Sequence, residues 1–155
     1  MVKKKVTPSK SIQNRRARFD YELGDSLVVG ISLTGAETKS LRMGHGQLRG
    51  AYVTVKDNEL WLINATINGT RGITITESQQ TQARKLLAKR RQIDALIEAK
   101  QQGRTIVPLE LLTGGRYIKA RIAIGKGKKR YDKRQTMKAR DESRSISNAL
   151  KQQQR

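Results

Sequence analysis

The chain has 155 residues, with 33 Lys or Arg against 13 Asp or Glu, a formal net charge of +20 and no cysteine. That length accommodates one domain with tails, or at most two small ones, and self-repulsion at this charge points to a polyanionic partner, nucleic acid first. Excluded are disulfides and thiolate metal sites, a membrane span, a basic amphipathic helix with the apolar face that membrane binding needs, and a secretory signal, since Met1-Val2-Lys3-Lys4-Lys5 is followed by no apolar region; the cysteine-free composition fits a cytoplasmic protein.

Residues 1–17 read as a flexible basic arm, with Lys3, Lys4, Lys5, Lys10, Arg15 and Arg16 scattered among polar residues and too little apolar surface to offset chain entropy. Asn14-Arg15-Arg16-Ala17-Arg18 is the part of it suited to ordering against RNA. A barrel-forming region is expected over residues 18–130. It opens with a β-prone stretch from Phe19 to Leu33, in which Gly24 and Gly30 suggest a bend or bulge. Thr34 followed by Glu37 has the spacing of a capping box, and Gly44 closes the short helix that follows. A strand is expected over 47–56, a turn at Lys56-Asp57-Asn58-Glu59, and a returning strand at Leu60-Trp61-Leu62-Ile63. Trp61, the single Trp, reads as a packing residue.

Ile67 and Ile73-Thr74-Ile75 suggest a short ribbon. Ala83, Leu86, Leu87, Ile93, Leu96 and Ile97 recur at three- and four-residue spacings and predict one long helix from Ser78 to Gln102, ended by Gly103. Pro108 lacks a donor and sets the strand Thr105–Leu112 at an edge or a bulge. After the turn Thr113-Gly114-Gly115, the strand Arg116–Ile124 alternates Tyr117, Lys119 and Arg121 with Ile118, Ala120 and Ile122. One face packs inward, and the other offers cations and a ring to a nucleic acid. Five main strands with inserted helices imply a mainly β fold, a small barrel of the oligonucleotide-binding type.

Gly125-Lys126-Gly127-Lys128-Lys129-Arg130-Tyr131-Asp132-Lys133-Arg134 divides this region from residues 131–155, a basic tail too poor in apolar groups to build a core. Its cations, ring and glycines suit a phosphate backbone and a stacked base, and they equally suit a solvated charge run. His45 has no Cys or His partner, and the carboxylates form no evident pair, so neither a metal site nor a catalytic site can be assembled. The expectation is a protein that is not an enzyme and uses no cofactor or metal.

Four motifs occur in order: Asn14-Arg15-Arg16-Ala17-Arg18, Gly35-Ala36-Glu37-Thr38-Lys39-Ser40-Leu41-Arg42, Arg84-Lys85-Leu86-Leu87, and Lys126-Gly127-Lys128-Lys129 with Tyr131-Asp132-Lys133-Arg134. Together they resemble the tmRNA-binding family of bacterial ribosome rescue, small protein B, from about Asn14 to the C-terminus. The resemblance implies an oligonucleotide-binding barrel that holds the tRNA-like domain of tmRNA. It also implies a basic tail, disordered when free, that becomes helical in the 16S rRNA decoding centre and mRNA channel of a stalled ribosome. By motif, it assigns RNA contacts to Asn14, Arg15, Arg16, Arg18, Leu87, Lys119, Lys126, Gly127, Lys128 and Lys129. It assigns the decoding centre to Tyr131, Asp132, Lys133 and Arg134, and the channel helix to residues 135–155. The chain departs from the family pattern in having Val28 in place of a common Glu, Gln79-Gln80-Thr81-Gln82 in place of Asp-Pro and a further Arg, and Phe19 where His is frequent. A structural ribosomal protein, or a general RNA binder, is the alternative with the same composition.

Overall fold

A computed structural model describes residues 11–153, apart from the side chains of Arg130, Tyr131 and Asp132. In chain order the elements are β1 (Ser11–Gln13), α1 (Ala17–Asp20), β2 (Tyr21–Ile31), α2 (Gly35–Arg42), β3 (Gly46–Gln47), β4 (Tyr52–Lys56), β5 (Glu59–Ile63), β6 (Thr66–Ile67), α3 (Glu77–Gln80), β7 (Arg84–Leu87), α4 (Arg90–Gln101), β8 (Thr105–Leu112), β9 (Lys119–Gly127) and α5 (Arg130–Gln153). The main sheet runs β1-β8-β4-β5-β7-β2-β9, and β9 also pairs with β8. That last pairing closes β8, β4, β5, β7, β2 and β9 into an antiparallel barrel, with β1 added outside on β8. Val29, Leu60, Leu62, Leu86, Ile106, Leu111 and Ile122 fill it, joined by Leu41 of α2 and Leu96 of α4.

Local chemistry explains most of these elements. Thr34 Oγ1 accepts from the Glu37 N–H while a Glu37 carboxylate oxygen accepts from the Thr34 N–H, the reciprocal box that starts α2. Asp57 and Asn58 both take positive φ, 52° and 60°, as a two-residue turn matching the twist of β4 and β5 requires. The register of β2 on β9 shifts between Leu23 and Ser26, so the bulge falls at Gly24 and Asp25 and not at Gly30. The register of β8 on β9 breaks between Pro108 and Glu110. Pro108 is thus accommodated in a bulge of an interior strand.

Three expectations need correction. The arm is not free throughout: residues 1–10 lie outside the described part, but Ser11–Gln13 pairs with Leu112, Leu111 and Glu110, and α1 follows. The strand expected over 47–56 starts at Tyr52; Leu48 is buried in a preceding turn, where Gly50 has φ +75°. The helix expected over 78–102 is α3, β7 and α4. Leu60, Trp61 and Leu62 of β5 face Leu86, Lys85 and Arg84 of β7 in register. Arg84 and Leu86 are buried while Leu87 is exposed, an alternation of period two. A buried Arg reads as polar in the sequence, which disguised that period. In the tail, the described residues form the single helix α5. Its Lys, Arg, Gln and Ala content favours a helix, and its first turns rest on α1.

Arg84 can point inward because Glu37 meets it: Nη2 lies 3.2 Å from Oε1, with the side chains 1% and 3% exposed. Replacing Arg84 with Leu strands a buried carboxylate and should cost about 3–5 kcal/mol in a urea-unfolding titration. Lys85→Ala removes a 2.7 Å ion pair to Glu59 whose partners are 40% and 42% exposed, and should cost under about 1 kcal/mol.

Candidate nucleic-acid interface

β2 and β9 run antiparallel with Gly30 opposite Lys119 and Val28 opposite Arg121. Directly opposed residues share a face, so Val28, Gly30, Lys119 and Arg121 form one outer strip. At one end of it, a hollow of about 680 Å³ is lined by Val28, Gly30, Leu87, Lys119, Lys85 and Lys89. Gly30 also pairs with Leu87. A Cβ built on Gly30 would lie 3.2 Å from the Leu87 Cβ, so glycine permits this close approach. Leu87 is 54% exposed. Two expected contact residues, Leu87 and Lys119, therefore come together from strands of different sequence regions.

At the other end, a hollow of about 550 Å³ is lined by Asn14, Arg15, Arg18, Ser26, Glu110 and Arg121. Asn14 is committed to the fold: its Nδ2 donates to the Pro108 carbonyl at 2.9 Å, and its backbone N–H donates to the Leu109 carbonyl at 2.7 Å. Both bonds satisfy acceptors at the β8 bulge and hold the arm to the barrel. Arg15 and Arg18 are exposed beside it. Arg121 Nη1 lies 2.6 Å from Glu110 Oε1, so this cation is held in place across the bulge.

The basic stretch after β9 turns back on α1. Lys126 and Gly127 belong to β9 itself, opposite Glu22 and Tyr21. The Lys128 backbone N–H donates to the Asp20 carbonyl at 2.9 Å, and its Nζ donates to the Arg18 carbonyl at 3.0 Å. Lys128 is therefore half-buried and closes the C-terminal end of α1; the charge run here is a strand end and a cap. Lys129 is exposed next to it. Arg16 places its Nε 3.6 Å from Asp20 and its guanidinium 5.5 Å from the Phe19 ring centroid. From α5, Lys133 Nζ reaches Asp20 at 3.3 Å and the Arg140 guanidinium lies 5.8 Å from the same ring. Arg134 is exposed at the start of α5, and the side chains of Tyr131 and Asp132 are outside the described residues. Beyond Thr136, every described side chain of α5 through Gln153 is exposed.

No group of His, Cys, Asp and Glu able to hold a metal occurs among the described residues. Among them, no helix is long and apolar enough to cross a membrane. The family described as SmpB protein matches residues 11–152. The chain belongs to that family. Similar proteins carrying the name SsrA-binding protein include those of Synechococcus sp. (strain JA-3-3Ab), 42% identical over 90% of this chain and 92% of its own length, and of Oenococcus oeni, 41% identical over 97% and 98%. That of Protochlamydia amoebophila is 44% identical over 92% and 94%. A solved structure described as "tmRNA-SmpB: a journey to the center of the bacterial ribosome" superposes with a TM-score of 0.64 and 34% identity, covering 77% of this chain and 85% of that one.

Within this SmpB-family chain, the barrel brings Arg121, Lys85 and Lys89 beside Lys119, Leu87 and Arg18; Lys85 lies in the Arg84-Lys85-Leu86-Leu87 motif, whereas Arg121 and Lys89 lie outside the four motifs. Alternation along β9 marked Arg121 as outward-facing; nothing in sequence spacing could join Lys89 to Lys119. Because Leu87 is exposed, Leu87→Ala should leave unfolding stability within about 0.5 kcal/mol of the parent. Asn14→Ala should lower it by about 1 kcal/mol through the lost bond to Pro108. Chemical denaturation of the two variants checks both.

Proposed function

We propose that this chain is a non-enzymatic adaptor of trans-translation that binds the tRNA-like domain of tmRNA on the outer strip of its barrel. The tail helix then occupies the decoding centre and mRNA channel of a stalled ribosome. The observation that carries the reading is the convergence of Leu87, Lys119, Arg121, Arg15 and Arg18 along one face of β2 and β9, with hollows at both ends, in a chain of the SmpB family. The barrel is of the oligonucleotide-binding type, with α2 and α4 as its inserted helices. Exposed cations along the strip serve phosphates, and the apolar Leu87 serves a nucleotide face.

In the proposed division, the barrel and α1 hold tmRNA, Lys126, Gly127, Lys128 and Lys129 extend that contact, and Tyr131, Asp132, Lys133 and Arg134 enter the decoding centre. Asn14 and Lys128 contribute by fixing the arm and α1, on which Arg15, Arg16 and Arg18 sit. Away from the ribosome, α5 has almost no packing beyond its first turns, so its distal half is marginal as an isolated helix and frays. Enclosure by rRNA orders it. The setting is cytoplasmic, where ribosomes work.

Three measurements test this. Affinity for the tRNA-like RNA should fall with salt at a log–log slope of about −5, for about six phosphates, and Lys126→Ala with Lys129→Ala should make that slope shallower by about 1.8. A slope near zero removes the electrostatic basis. Truncation after Arg134 should leave that affinity within about twofold, yet abolish single-turnover peptidyl transfer to alanyl-tmRNA on ribosomes stalled without a codon. Transfer at the full-length rate would reduce the tail to a solubilising extension. Backbone NMR of the free protein should show the residues after Arg140 averaging between helix and coil while the barrel amides stay dispersed.

A further inference from the structure

The hairpin that joins β8 to β9 is longer and more firmly held than a connection requires. Leu112 pairs with Lys119, leaving six residues, 113–118, between them, where hairpins commonly use about two to five. Arg42 of α2 clamps this loop. Its Nη1 donates to the carbonyls of Thr113 at 3.2 Å and Gly115 at 3.0 Å, and its Nη2 donates to that of Arg116 at 2.8 Å. Three charge-assisted bonds hold the backbone from which Tyr117 projects. Tyr117 is 69% exposed, the highest value among the exposed large hydrophobic side chains of the described residues. The Arg116 guanidinium lies 5.5 Å from its ring centroid. Ile118 is buried between Tyr117 and Lys119, so the ring stands two residues from the Lys119 end of the outer strip.

We propose that Tyr117 is a stacking platform for an unpaired nucleobase of the bound RNA, extending the contact surface past Lys119. A ring exposed to this degree and fixed by a clamped backbone presents a flat π face at little ordering cost. The cation beside it suits the phosphate of the stacked nucleotide. Base stacking on an aromatic tolerates any base, so this contact adds affinity and register without reading sequence. The inference rests on the RNA-binding reading above and adds a residue that its motifs do not contain.

The test uses the full chain and a tRNA-like-domain transcript of tmRNA carrying 2-aminopurine, in separate samples, at each unpaired position. The parent protein should quench one of these labels on binding. Tyr117→Phe should keep the quench, while Tyr117→Leu and Tyr117→Ala should lose it and weaken binding about tenfold, with melting temperatures unchanged because the ring is exposed. Arg42→Ala leaves the ring in place but frees the loop, and should lose most of the quench. The stacking proposal is overturned if Tyr117→Ala keeps parental affinity and quench while Lys126→Ala with Lys129→Ala still weakens binding; the RNA reading then survives without it. If the parent protein fails to bind the transcript at all, both fall together.

Discussion

The buried guanidinium of Arg84 is the contact on which the interface depends. Its Nε and Nη2 both donate to Glu37 Oε1 at 3.2 Å. Nη1 donates to the carbonyls of Ala65 at 2.7 Å and Gln82 at 3.1 Å. Nη2 also reaches the carbonyls of Gln79 at 2.9 Å and Gln80 at 3.1 Å. One side chain thereby ties α2, the residue that leads into β6, α3 and β7 together. A buried ion pair is weak evidence for stability, because desolvation offsets much of its Coulomb gain. Its effect here is on register. With Arg84 turned inward, Leu86 enters the core and Leu87 must face out, beside Gly30 and Lys119.

Acidic residues serve a comparable purpose elsewhere. Glu110 steadies Arg121 across the β8 bulge, Glu59 steadies Lys85 on β7, and Asp20 draws Arg16 and Lys133 to α1. In a chain with net charge +20, these pairs orient particular cations while the overall field stays positive. Steering of a polyanion needs only that field, whereas a defined pose needs the oriented cations.

α1 is where the arm, the barrel and the tail meet. It is only four residues long, yet its carbonyls receive Lys128, its Asp20 receives Lys133, and its Phe19 ring receives Arg16 and Arg140. The surface proposed for tmRNA and the tail proposed for the ribosome thus share one small structural junction. The flat ring of Phe19 accepts these cations on its face.

Features set by nearest neighbours were legible in the sequence. The capping box at Thr34 and Glu37, the turn at Asp57 and Asn58, the bulge near Gly24, and the alternation of Ile118, Ala120 and Ile122 each depend on a few contiguous residues. The charge alone pointed to a polyanion, and the ordered motifs pointed to the family. Tertiary structure decided the rest. Residues 84–87 have the spacing of a helix; pairing with β5 and β2, together with a carboxylate 47 positions before Arg84, makes them a strand. Ser11–Gln13 forms a strand because β8 offers it an edge, and Asn14 is held because Pro108 offers it an acceptor. Lys128 looks like a loop cation and serves as a cap because α1 lies beneath it. Local pattern records what a residue prefers; a partner distant in sequence, once desolvation makes its pairing obligatory, determines where that residue goes.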